Sequence, residues 1–109
     1  MPWLVRGDEV LAPLEVASSM AARSRGLLGR DGIEGALLLR PAMSIHTLGM
    51  RFDLDVAYCD AQLVVLDTAS MARRRLGRPR LRARSIIEAE AGAFERWRLC
   101  AGDRLEVRP

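Results

Sequence analysis

The chain has 109 residues, half of them apolar and only 5% aromatic, with a formal net charge of +3. That length fits a single domain around one core, built from Leu, Val, Ile, Ala and Met rather than from aromatic rings. No apolar run approaches the roughly 20 residues of a membrane-spanning helix, and no basic region precedes an apolar one at the N-terminus, so a cytoplasmic protein without membrane contact is expected.

Trp3 to Val5 reads as a short strand or a docked terminus, and Val10 to Val16 as a strand whose Pro13 suits an edge or a bulge. Ser18 or Ser19 supplies a helix N-cap. A short helix from Met20 to Leu27 or Leu28 follows, closed by Gly29, with Gly26 permitting close packing or marking the last turn. Turn signals at Asp31-Gly32 and Glu34-Gly35 lead into the apolar run Ala36 to Leu39, a buried strand that Pro41 ends. Met43 to Thr47 and Asp53 to Cys59 form a predicted hairpin around Gly49. Asp60 to Gln62 makes the next turn, before a buried strand from Leu63 to Leu66.

All seventeen basic residues are arginine. Seven of them (Arg73, Arg74, Arg75, Arg78, Arg80, Arg82 and Arg84) share one acid-free segment, and the rest of the chain sets ten arginines against fourteen acids, a net charge of −4. The segment reads as a long connection, a solvated and mobile loop whose end enters a strand. Its charge would draw nucleic acid or another polyanion in a salt-dependent way. It has no aromatic residue on which bases could stack, so nucleic acid is not the favoured partner. Ser85 to Glu90 continues as a strand, Gly92 to Trp97 as one or two helical turns, and Arg104 to Val107 as a last strand with Leu105 and Val107 inward. Short strands at turn-marked intervals, with one or two short helices, give a mainly β fold with a minor α+β character, a sandwich or barrel-like single domain spanning residues 1–109.

Within the predicted hairpin, His46, the sole histidine, stands opposite Asp55 with Cβ atoms about 5 Å apart. A carboxylate facing an imidazole fixes its tautomer and prepares a general base or a metal ligand, although a polar pair that merely holds the hairpin is the simpler reading. One histidine among scattered acids offers no ligand spacing, so neither a metal nor a cofactor is expected. Arg23, Arg25 and Arg30 flank the short helix and can present forks to a carboxylate or phosphate; Arg23 can also bridge to Asp55, Asp103 or Glu88. Cys59 and Cys100 read as two buried thiols.

Arg23-Ser-Arg-Gly-Leu-Leu-Gly-Arg30, Ala36-Leu-Leu-Leu39, Ile45-His-Thr-Leu-Gly-Met-Arg-Phe-Asp-Leu-Asp-Val56, Ile87-Glu-Ala-Glu-Ala-Gly92 and Gly102-Asp103 resemble a bacterial and archaeal family, domain of unknown function 192. The resemblance runs from about Val16 to Val107, with His46-Thr47 standing where many members have Trp-Met. It implies a mainly β sandwich with no established reaction. It also implies motif roles for Arg23, Gly26, Leu27, Arg30, His46, Thr47, Gly49, Met50, Asp55, Glu88, Gly92, Gly102 and Asp103.

The expectation is a small binding or accessory domain rather than an enzyme, with a polar ligand patch made by Arg23, Arg30, His46, Thr47, Asp55 and Glu88. Its partner is an unidentified small molecule or protein, and the chain a monomer or weak dimer. Two alternatives stand beside it. One is a hydrolase-like enzyme using His46 as general base, oriented by Asp55, with Arg23 or Arg30 stabilising an anion. The other is a polyanion-binding protein acting through Arg73 to Arg84.

Overall fold

Seven strands and two short helices form in the computed structural model, which describes residues 2–109: β1 (Trp3–Arg6), β2 (Glu9–Ala17), α1 (Met20–Arg25), β3 (Ala36–Leu39), β4 (Leu54–Cys59), β5 (Val65–Met71), β6 (Ser85–Glu90), α2 (Ala93–Trp97) and β7 (Glu106–Arg108). They make one sheet in the order β5-β4-β6-β3-β2-β1-β7. Every neighbouring pair is antiparallel except β2 and β3, which run parallel and are joined by the crossover that carries α1. The fold is mainly β, as the turn-marked pattern predicts.

The sheet is not closed, but its ends meet near the start of β5. Val65 N–H donates to Asp103 O at 2.8 Å and Leu105 N–H to Leu63 O at 3.0 Å, around a lone bridge between Val64 and Arg104. The curl encloses one apolar cluster, which includes Leu4, Leu14, Leu38, Ile87, Phe94 and Leu105. A second cluster covers the other face beneath α1, with Leu27, Leu37, Leu54, Val56, Tyr58 and Ile86. β4 and β6 lie between the two clusters, which is why Leu54 to Cys59 and Ser85 to Ala89 are buried without interruption.

Local chemistry explains the boundaries. Pro13 pairs with Trp3 on one side only, because the parallel ladder to β3 begins at Leu14, so its missing N–H costs no ladder bond there. Gly35 has φ +90°, and a Cβ there would lie 2.2 Å from Pro13 O; only glycine fits that crossing. Ser19 caps α1 by accepting from Ala22 N–H at 3.0 Å. The helix stops at Gly26, not at Gly29, because Gly26 adopts φ 48°, ψ −125°, far from helical values.

Three expectations are corrected. The hairpin between Met43–Thr47 and Asp53–Cys59 does not form. β5 and β6 already take both edges of β4, so no edge is left for residues 43–47. That segment instead runs against the arginine-rich one, with Thr47 N–H donating to Arg75 O at 2.7 Å and Gly77 N–H to Ile45 O at 2.9 Å. The arginine segment is therefore tied down along its length rather than a freely solvated loop. Its strand begins only at Ser85. Lastly, the strand predicted at Leu63–Leu66 runs from Val65 to Met71: β5 is an edge strand, and its exposed Asp67 and Ser70 sit where an apolar run would not extend.

Candidate functional site

β6 is an interior strand, and Glu88 stands midway along it, paired with Leu37 on β3 and Val56 on β4. Alternation directs its side chain to the α1 face, among apolar neighbours, where it is 5% exposed. The chain passes directly above it at the end of α1, since a Cβ on Gly26 would lie 3.7 Å from Glu88 Oε1. Among the described residues no donor reaches the Glu88 carboxyl. Burial pushes its pKa up to about 7.

Between α1 and the segment 41–50 lies a cavity of about 330 Å³, with Glu88 in its lining. Leu27, Leu39, Met43 and Met50 contribute apolar wall; Arg23, Arg25 and His46 bring polar and charged groups to it. Arg23 is half-buried, whereas Arg25 and His46 are exposed. None of these three side chains has an ion-pair or hydrogen-bond partner among the described residues. A buried acid and an arginine thus share one cavity without meeting each other.

The structure brings Arg23, His46 and Glu88 to this cavity. It places the other three expected residues elsewhere. Asp55 lies on the opposite sheet face, where Oδ2 accepts from Gly92 N–H at 2.9 Å and Phe94 N–H at 3.1 Å, and Oδ1 from the Ser70 hydroxyl at 3.2 Å. It caps α2. The expected His46–Asp55 pair is not formed, because the strand register sets Asp55 against Ser70 and Ala89 while His46 bridges Leu76. With it goes the orientation of His46 by Asp55 on which the general-base scheme depended. Thr47 is fully buried and staples the arginine segment, its hydroxyl donating to Ala72 O at 2.7 Å and accepting from Arg75 N–H at 2.7 Å. Arg30 pairs with Glu15 at 2.7 Å on the surface; that contact holds the Glu15 carboxyl below its usual range. Sequence reasoning missed the apolar wall. Its signal was present, since three of the five methionines fall between residues 20 and 50.

A family model matches residues 4–107, that of DUF192, described as Uncharacterized ACR. The chain belongs to the DUF192 family. A UPF0127 protein of Thermococcus gammatolerans is 30% identical over 96 residues, which are 83% of this chain and 63% of that protein, so the chain spans under two thirds of that relative's length. A UPF0127 protein of Pyrococcus furiosus is 27% identical over 108 residues, 94% of this chain and 93% of its own length. A crystal structure of a protein of unknown function from Novosphingobium aromaticivorans shares the fold, with a TM-score of 0.81 at 20% identity over 96% of this chain and 83% of that one. The DUF192 match covers every residue of the cavity.

Elsewhere in this DUF192 chain the cysteines part company. Cys59 is buried, and burial pushes its thiol up to about 12. Cys100, expected to be buried, is exposed: it precedes the turn at Ala101-Gly102, and its N–H donates to Asp103 Oδ2 at 3.1 Å. Among the seven clustered arginines, Arg80 is committed to Asp67 at 3.0 Å and lies 4.2 Å over the Tyr58 ring, and Arg73 pairs with Asp53 at 3.4 Å. Arg74, Arg75, Arg78 and Arg82 are exposed, and their guanidinium groups have no ion pair among the described residues.

Proposed function

We propose that the domain binds a small molecule in the cavity beneath α1, with Glu88 as the group that recognises it. One observation carries this reading. A carboxyl group is held in the apolar interior with no hydrogen-bond donor, yet it borders open space. Holding a carboxyl largely desolvated at this position carries a cost that a packed leucine would avoid. A ligand that brings the missing partner offsets it. The cavity also lies near the lower end of the roughly 300–1,000 Å³ range typical of small-molecule sites, and it combines apolar wall with a few polar groups as such sites do.

Nuclear magnetic resonance tests the reading with a fragment set of simple amines, amides, alcohols and carboxylates. Binding shifts the backbone amides of residues 23–28, 43–50 and 88. Shifts confined to other surfaces, or none across the set, would remove the cavity as the site.

Arg74, Arg75, Arg78 and Arg82 support a second reading, a polyanion-binding face. On that reading a labelled oligonucleotide binds with an affinity that falls steeply with salt, and charge-neutralising substitutions at these four positions abolish binding. Binding that survives them counts against it.

A further inference from the structure

We propose that the ligand of this cavity is a small zwitterion with an apolar body, such as a free aliphatic α-amino acid, whose ammonium group sits on Glu88 and whose carboxylate is taken by Arg23. The inference rests on the preceding reading of the cavity and narrows it to a ligand class.

Two oppositely charged side chains border one small space and do not pair. Glu88 is nine-tenths buried or more, and no described residue donates to it. Burial raises its pKa, and no hydrogen bond or ion pair joins it to Arg23. Arg23 for its part has no carboxylate partner. The two groups are nevertheless held in register. Gly26, which closes α1 with its N–H donating to Ala22 O at 2.9 Å, follows Arg23 by three residues and is the residue that passes over Glu88 Oε1. One helical turn, about 5 Å, therefore separates the backbone point above the acid from the base of the arginine. A molecule with an amine and a carboxylate on one carbon spans that interval with the help of the flexible arginine stem. The lining also carries Leu27, Leu39, Met43 and Met50, which suit an aliphatic or thioether side chain, beside the hydroxyl groups of Ser24 and Ser44.

The charged form of Glu88 is needed to hold an ammonium, so affinity falls on the order of tenfold per pH unit below about 7, as the carboxyl protonates. The other titratable or charged groups around it are Arg23 and Arg25 on the α1 side, His46 on the segment 41–50 and Tyr58 on β4. His46→Gln isolates the Glu88 contribution.

Isothermal titration of the intact chain with three matched compounds tests the proposal: L-leucine, 3-methylbutylamine (leucine without its carboxylate) and 4-methylpentanoate (leucine without its amine). L-leucine binds, and removing either charge weakens binding at least tenfold. Glu88→Gln erases the advantage of L-leucine over 4-methylpentanoate, and Arg23→Gln erases its advantage over 3-methylbutylamine. Circular dichroism checks that both variants fold; Arg23→Gln lies outside the core and decides the matter if Glu88→Gln does not. The proposal is overturned if 4-methylpentanoate binds as tightly as L-leucine, if Arg23→Gln leaves the L-leucine affinity unchanged, or if none of the three binds at millimolar concentration. Failure of the narrower claim is separable from failure of the cavity reading. If either single-charge compound binds at residues 23–28 and 43–50 without any gain from the second charge, only the zwitterion is lost. Absence of amide shifts there with all three compounds and with the broader fragment set loses both.

Discussion

Asp55 and Glu88 sit on adjacent strands one register step apart, since Val56 faces Glu88 and Asp55 faces Ala89. They are buried alike, at 6% and 5% exposure, but on opposite faces of the sheet. Asp55 receives three donors, two of them backbone N–H groups at the start of α2. Glu88 receives none from the described residues. Burial therefore does not tell the two acids apart; their donors do. One completes a helix end and belongs to the architecture, whereas the other keeps its binding capacity open toward a cavity.

The largest expected effect comes from breaking the satisfied side of this pair. Asp55→Ala strands the N–H groups of Gly92 and Phe94 in the interior and lowers stability on the order of 3–4 kcal/mol in urea unfolding, with Asp55→Asn recovering part of the loss. A cost under about 1 kcal/mol would mean that Asp55 is not a cap.

The unsatisfied side predicts the opposite sign. The Glu88 carboxyl is raised from 4.5 to about 7 in the folded chain, so between those values the folded state holds a proton that the unfolded state has lost. Its contribution therefore falls as pH rises from 4.5 and is fully lost above about 7, a difference on the order of 3 kcal/mol. Glu88→Gln removes that dependence. Relative to the parent, the variant gains stability from pH 4.5 to pH 8, measured by denaturant unfolding at each pH. A gap that stays constant across this range contradicts the assignment.

The smallest effect is a control on both. Arg30→Ala breaks the Glu15 pair, whose side chains are 40% and 50% exposed, and costs less than about 1 kcal/mol, diminishing with added salt.

Much of the fold was legible because its determinants are local. Ala36 to Leu39 and Ser85 to Glu90 were bounded correctly, each enclosed by turn or loop chemistry and carrying an apolar pattern that fits burial on both faces. The N-cap at Ser19 and the turn at Asp60 were equally local; Asp60 Oδ1 accepts from Gln62 and Val64 N–H, both at 2.9 Å. Strand pairing was not local. Residues 43–47 carry an extended pattern compatible with a hairpin, and only the occupation of both β4 edges decides against it. The misplacement of Asp55 followed from that one error of partner, since the alternation of Leu54, Val56 and Tyr58 on a common face already set Asp55 on the other. Arg23 and Glu88 are 65 positions apart in the chain, and no spacing rule joins them. Only the crossover between β2 and β3 does.

That crossover has a consequence for how the cavity can change. None of the six residues of α1 is buried, whereas β6 beneath it is enclosed from Ser85 to Ala89. The ceiling of the cavity is thus structurally cheap and its floor is not. Residues 20–25 can be exchanged to suit a different guest with little disturbance to the sheet, while the acid at the bottom is bound to the part of the domain that tolerates the least alteration.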